Sequence, residues 1–222
     1  MQPKGREFQL IHRYFQQYAQ YDESVDVGIG DDCALIQANE NMLQAISVDT
    51  SIVNRHFPED APAFNIGRRA LNVSVSDLAA MGATARWFTL AISLPEFNEA
   101  WLAEFSRGLF SAAKDANIQL IGGDTTKGRE LSITVQVQGE VPKNLALKRN
   151  GAKIGDTIFV TGNLGNAAAG LSLYKEGLRE GTLIDAYLNP VPKLQQAILL
   201  RNLANSCIDI SDGLLADLSH IL

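Results

Sequence analysis

Gly28-Ile29-Gly30-Asp31-Asp32 is the stretch around which the chain is organised. Its two glycines free the backbone to turn. Two carboxylates follow at once, and the apolar run Cys33-Ala34-Leu35-Ile36 comes directly behind them. A turn that presents acids just before a buried strand is suited to hold a cation. The arrangement recurs along the chain: Asp49, Asp77, Asp124, Asp209 and Asp212 each stand where an apolar element begins or ends.

Working outward, Phe8, Ile11, Phe15 and Tyr18 recur at helical spacing over residues 6–20. Residues 22–30 are polar and glycine-bearing and read as a loop. Residues 33–37 and 43–48 read as a strand pair turning at Asn39-Glu40-Asn41. A loop between Pro58 and Pro62 leads into a helix over 63–81, which ends at Gly82. Asn72, Ser74, Ser76 and Asp77 are expected to form a polar stripe on it. Residues 87–94 read as a strand, 98–117 as a helix and 118–121 as a brief strand. Gly122-Gly123-Asp124-Thr125-Thr126 follows as a glycine turn, and 131–141 as a half-exposed antiparallel strand.

Mixed strands and helices in this order predict an α+β N-terminal unit over residues 1–149. The glycines near 151 and 155 mark a boundary, and residues 150–222 open a second α/β unit. There the sequence predicts strands at 157–161 and 207–210, with helices from 166, from 194 and after Gly213. Two strands cannot readily close their own core, so the second unit reads as incomplete, or as covered by a partner.

The 222 residues are 46% hydrophobic and 20% charged, with a formal net charge of -6. That balance argues against a nucleic-acid binder, which presents a basic face. Cys33 and Cys207 lie in apolar runs and read as buried free thiols, which suits a reducing compartment. No apolar stretch approaches the ~20 residues of a membrane helix, and no signal peptide is read, so a cytoplasmic protein is expected. Trp87, Trp101 and Phe105 are most simply core.

Magnesium takes oxygen ligands, keeps several waters, and is usually held by one or two carboxylates plus substrate phosphates. Several ions on one polyphosphate therefore need several aspartates from different elements. The acids at 32, 49, 77, 124, 209 and 212 supply such a set. Any one of them alone reads as an ordinary turn or helix cap. Asp77 is the exception, because it lies inside an apolar helix where an unpaired carboxylate is costly. The Gly122-Gly123-Asp124 segment lacks the Gly-Lys-Ser/Thr ending of a P-loop. Lys148-Arg149 is either a linker charge or a cation that reaches a phosphate. His56 is either a surface histidine or a substrate contact.

These motifs resemble those of the thiamine-monophosphate kinases. The resemblance is carried in order by Gly28-Ile29-Gly30-Asp31-Asp32-Cys33-Ala34, Ser47-Val48-Asp49-Thr50, residues 72–83 (Asn-Val-Ser-Val-Ser-Asp-Leu-Ala-Ala-Met-Gly-Ala), Leu120-Ile121-Gly122-Gly123-Asp124-Thr125-Thr126 and Ile208-Asp209-Ile210-Ser211-Asp212-Gly213-Leu214. It implies a PurM-like two-domain fold, with an N-terminal mixed-sheet domain that binds ATP and Mg2+ and dimerises, and a C-terminal α/β domain that is incomplete here. It implies ATP-dependent phosphorylation of thiamine monophosphate to thiamine diphosphate by direct in-line transfer with several Mg2+. Asp32, Ser47, Val48, Asp49, Asp77, Asp124, Asp209 and Asp212 would hold metal. Gly123, Asp124, Arg149 and Ser211 would touch ATP, His56 would lie on the thiamine monophosphate side, and no general base is implied. Many relatives carry Thr where this chain has Val48, so contact there falls to the backbone carbonyl. Relatives also continue with a Gly-Gly-Glu-Asp-Tyr-type segment and a late aromatic residue, so the resemblance reads the chain as C-terminally truncated. The other readings are a PurM-like ATP enzyme with a different acceptor, and a silent dimerising fragment.

Overall fold

The structure is a computed structural model and describes residues 6–222, with side chains from Phe8 onward. Helix α1 (Arg6–Tyr14) and a 3-10 turn (Gln16–Tyr18) lead into a short antiparallel pair, β1 (Val25–Val27) and β2 (Leu35–Ile36). Then come β3 (Met42–Ile52), α2 (Ala63–Ala80), β4 (Thr84–Leu94), α3 (Glu99–Ala116), β5 (Gln119–Lys127) and β6 (Ser132–Pro142). The four long strands form one mixed sheet in the order β3-β6-β4-β5. β4 and β5 are parallel and joined through α3, and β6 runs antiparallel to both its neighbours. The mixed sheet with flanking helices is the expected α+β architecture.

Alternation along β6 decides which face is covered. Ile133, Val135 and Val137 are buried beneath α2, while Thr134, Gln136 and Gln138 are only partly covered on the other face. Register carries this across to β3: Ser47 lies opposite Val137 and Asp49 opposite Val135, so both face the helices. Ile46 and Val48, each 60% exposed, lie on the open face opposite Gln138 and Gln136.

Helices α2 and α3 cross through two glycines. A Cβ on Gly67 would meet the Phe105 carbonyl at 2.2 Å, and one on Gly108 would meet that of Phe64 at 1.9 Å. The backbones can approach this closely only because both positions lack a side chain. α3 is capped at its start by Asn98, whose side chain accepts the Trp101 N–H, and at its end by left-handed Asn117. Trp87 and Phe105 are fully buried as expected; Trp101 is partly exposed and stacks on Phe105 at 5.1 Å.

Beyond a 3-10 turn (Arg149–Gly151) come α4 (Asn166–Lys175), α5 (Thr182–Leu188), α6 (Leu194–Leu200) and α7 (Leu214–Ser219). Tyr174, Ile184, Tyr187 and Leu188 join the core. Polar groups on α2 anchor this region, Arg69 donating to the Tyr187 carbonyl and Asn72 to that of Pro190 at 2.8 Å; in return Arg201, just after α6, donates to the Gly82 carbonyl at 2.7 Å. Among the described residues no helix is long and apolar enough to cross a membrane.

The structure corrects several sequence expectations. Residues 33–37 and 43–48 do not pair with each other. The loop at 22–30 supplies β1, which takes β2 as its partner, and β3 joins the large sheet. Residues 122–126 are not a turn but the second half of β5, paired to β4 from Gly122 to Thr126. The segments expected as strands at 157–161 and 207–210 join no sheet: Cys207 makes a single backbone bond, to the Lys148 carbonyl, and Phe159 is 88% exposed. Their apolar composition is strand-like, yet neither joins a sheet among the described residues. Helix α5 was not anticipated. Cys33 is exposed and Cys207 half-buried, so neither is the buried thiol expected of its apolar run. Asn72, Ser74 and Asp77 form no single stripe: Ser74 lies against the sheet at the Val135 carbonyl, Asn72 faces Pro190, and Asp77 faces β3.

Candidate active site

Asp77 is the centre of the site. It sits in the last turn of α2, and its carboxylate accepts a hydrogen bond from the Ser47 hydroxyl of β3. Burial pushes its carboxyl above the ordinary 3.8; the Ser47 hydroxyl opposes this, the charges of Asp49 and Asp209 raise it further, and Arg149 opposes. Three acids from a strand, a helix and an extended segment, together with one arginine, therefore share one electrostatic neighbourhood.

Backbone pairing explains how the distant residues arrive there. The Cys207 N–H donates to the Lys148 carbonyl at 3.0 Å, and the Ser206 hydroxyl to the Arg149 carbonyl at 2.7 Å. This lays residues 206–209 alongside 148–149, so Arg149 and Asp209 approach β3 together. Ser211 donates through its hydroxyl to Asp209 at 3.2 Å. Val48 points its side chain to the opposite face of the sheet, which leaves only its backbone on the Asp77 side. His56 lies in the turn after β3, where its Nδ1 accepts the Ile52 N–H at 3.0 Å.

The opening glycine turn belongs to a second group. The Tyr21 hydroxyl accepts the Ile29 N–H at 2.8 Å, Gln16 donates to the Ile29 carbonyl at 2.7 Å, and Asp31 accepts the Asp32 N–H at 2.8 Å. Asp31 thus shapes the turn and leaves Asp32 exposed. Base contacts fasten this excursion: Trp87 donates to Ser24 at 3.0 Å, and Glu140 accepts the Asn39 N–H at 3.1 Å. Ile29 lines a small, open hollow with Ile11, Phe15, Leu90, Leu120, Gly123 and Asp124, among others. Gly123 is held at φ 153° so close to β4 that a Cβ would meet the Leu90 carbonyl at 1.8 Å.

The structure therefore brings Ser47, Asp49, Asp77, Arg149 and Asp209 together, with Ser211 bonded to Asp209. It does not bring Asp124 to them. β3 and β5 are the two outer strands, three inter-strand steps of ~4.8 Å apart, or roughly 14 Å. Asp124 pairs with Ala91 on the open face, whereas Asp49 faces the helices. Among the described residues, no three acidic, histidine or cysteine side chains close into a finished metal cage.

The donors nevertheless suit magnesium. They are carboxylates and a hydroxyl, all hard oxygens, and Asp77 is a half-buried carboxylate crowded by like charge. A loose set of that kind fits an ion that keeps waters and takes phosphate oxygens as ligands.

Comparison with known proteins places the chain. Residues 30–141 match the family described as AIR synthase related protein, N-terminal domain. The thiamine-monophosphate kinase of Escherichia coli K12 is 47% identical over 222 residues, covering 97% of this chain and 68% of that protein. The crystal structure of thiamine-monophosphate kinase from Stenotrophomonas maltophilia K279a superposes with a TM-score of 0.88 at 43% identity, covering 96% of this chain and 70% of that one. A structure described as AaThiL complexed with AMPPCP and TMP gives a TM-score of 0.78 at 30% identity, over 87% of this chain and 63% of that one. The chain belongs to the thiamine-monophosphate kinase family.

The raised Asp77 carboxyl has a thermodynamic consequence. A carboxyl raised above its unfolded value favours the folded state at low pH, and that contribution is lost as pH rises through the folded pKa. At neutral pH the ligand-free protein carries the cost of a buried, crowded charge. Asp77→Asn is expected to raise the metal-free Tm at pH 7, with the gain shrinking as pH falls toward 3.8. Thermal melts across that range measure it; an equal change in Tm at every pH would contradict it.

Proposed function

We propose that the protein transfers the γ-phosphoryl group of ATP to thiamine monophosphate, giving thiamine diphosphate. The carrying observation is the Asp77 cluster: three acids and Arg149 converge on one face, as a polyphosphate with hard cations requires. The family supports ATP as co-substrate, and its relative complexed with AMPPCP and TMP supports both ligands.

Asp32, Asp49, Asp77, Asp124, Asp209 and Asp212, with Ser47 and the Val48 backbone, would hold Mg2+. Bound Mg2+ would supply charge neutralisation on the polyphosphate. Arg149 would orient a phosphate through its forked guanidinium. The Gly123 backbone and Ser211 would touch ATP, and His56 would lie toward thiamine monophosphate. The acceptor is itself a phosphate with a second pKa of ~6, so it is already a nucleophile near neutral pH and needs no general base. The residues act by positioning and by relieving repulsion between two anions, and transfer is direct and in line.

Residues 1–149 form the ATP-binding and dimerising domain in this reading, with residues 150–222 opening a second. Two observations favour a homodimer. The open face carries exposed Ile46 and Val48 beside an unpaired edge. The acids also fall into two groups, at β3 and at β5. Setting β5 of one copy beside β3 of another would bring Asp124 and Asp32 to the partner copy's Asp77 group and complete the site.

Purified protein incubated with ATP, Mg2+ and thiamine monophosphate should form thiamine diphosphate, and chelation by EDTA should abolish this. Asp77→Asn should lose at least ~100-fold in turnover, the scale on which one transition-state electrostatic contact counts. ATP turnover with another phosphorylated acceptor but none with thiamine monophosphate would overturn the assignment. Mixing Asp77→Asn with Asp124→Asn tests the shared site. About half the dimers would be mixed, each with one intact site, restoring up to about a quarter of wild-type activity. No restoration after subunit exchange would place both aspartates in one chain's site.

A further inference from the structure

Asp217 is a buried carboxylate that the proposed reaction does not use. It is 6% exposed, and no lysine or arginine among the described residues pairs with it. A carboxylate in that position is costly unless hydrogen bonds replace its water. They do: one oxygen, Oδ2, accepts the backbone N–H of Ser211 at 2.9 Å, of Asp212 at 3.1 Å and of Gly213 at 3.1 Å.

The geometry extends the capping box, in which an acid in the first turn reaches back to the N-cap amide. Asp217 lies in the first turn of α7 and gathers the N-cap Gly213 together with the two residues before it. The three amides are turned inward onto one charge, and Ser211 and Asp212 are exposed on the outer side. Ser211 links the two layers, because its N–H goes to Asp217 and its hydroxyl to Asp209. Asp209 in turn lies near enough to Asp77 for its charge to raise that carboxyl. A buried charge thus fixes the curvature of the very segment that carries two acids, where their mutual repulsion would otherwise open it.

We propose that Asp217 is a positioning residue that holds the 209–212 segment in its metal-binding shape, an inference that rests on the kinase reading above. Its charge is the effective feature, because hydrogen bonds to a charged acceptor are roughly twice as strong as neutral ones. Asp217→Asn keeps the shape and one acceptor oxygen and removes the charge.

Amide hydrogen exchange and Mg2+ titration test this together. In the wild-type protein, without nucleotide or metal, the amides of Ser211, Asp212 and Gly213 should exchange slowly although their loop is exposed. In Asp217→Asn they should exchange about 10-fold faster. The half-saturating Mg2+ concentration should rise ~5–10-fold, by turnover and by thermal shift with ATP, while turnover at saturating Mg2+ stays within about 2-fold. Fast exchange of these amides in the wild type would overturn the proposal without any variant, which also decides the matter if Asp217→Asn does not fold. Unchanged Mg2+ half-saturation in a folded variant, or a fall in saturated turnover with no shift, would overturn it as well. A wild type that makes no thiamine diphosphate counts against the kinase reading; exchange and Mg2+-dependent thermal shift still judge Asp217.

Discussion

Like-charge crowding at Asp77 is the constraint on which the rest of the site depends. A half-buried carboxylate with two further aspartates near it costs free energy in the absence of cations. Such a cluster persists only if its members are fixed by structure that does not yield. Three separate devices do this. The register between β3 and β6 sets Ser47 and Asp49 on the helix side. The glycine crossing of α2 and α3 seats α2 against the sheet. The pairing of 148–149 with 206–207 carries in Arg149 and Asp209. The repulsion stored there is what a cation relieves on binding, so the arrangement favours occupied over empty.

The second constraint is the width of the sheet. Two strands, β6 and β4, separate the β3 group from the β5 group, and no side chain of Asp length spans that distance. The glycine turn at residues 28–32 goes with β5: Ile29 shares its hollow with Gly123 and Asp124. An array that looks continuous along the sequence is thus two separate groups in the folded chain. The homodimer proposed above would bring the two groups together across two copies.

Sequence pattern revealed much of this fold. The helices over 63–80 and 99–116 announced themselves by periodicity and caps, and β6 by strict alternation. What failed did so for physical reasons. Glycines at 122 and 123 signal a turn by composition, but here they serve the close approach of two parallel strands, which only a neighbouring chain segment reveals. Residues 157–161 have strand composition without a strand partner, and composition cannot report a missing neighbour. In the site, Asp77 was legible because an acid inside an apolar helix demands a reason. The division of the acids between two sheet edges was not, since motif order carries no distance. Asp217 was passed over because a lone Asp at the start of a helix looks like any other; its three inward amides appear only in the folded loop.

The central claim is that Asp49, Asp77 and Asp209 together hold the cations of a bound nucleotide. Anomalous diffraction from crystals grown with AMPPCP and Mn2+ in place of Mg2+ tests this most directly. The expected result is Mn2+ peaks between the nucleotide phosphates and the Asp77 cluster. Nucleotide bound with no anomalous peak beside Asp77 would contradict it.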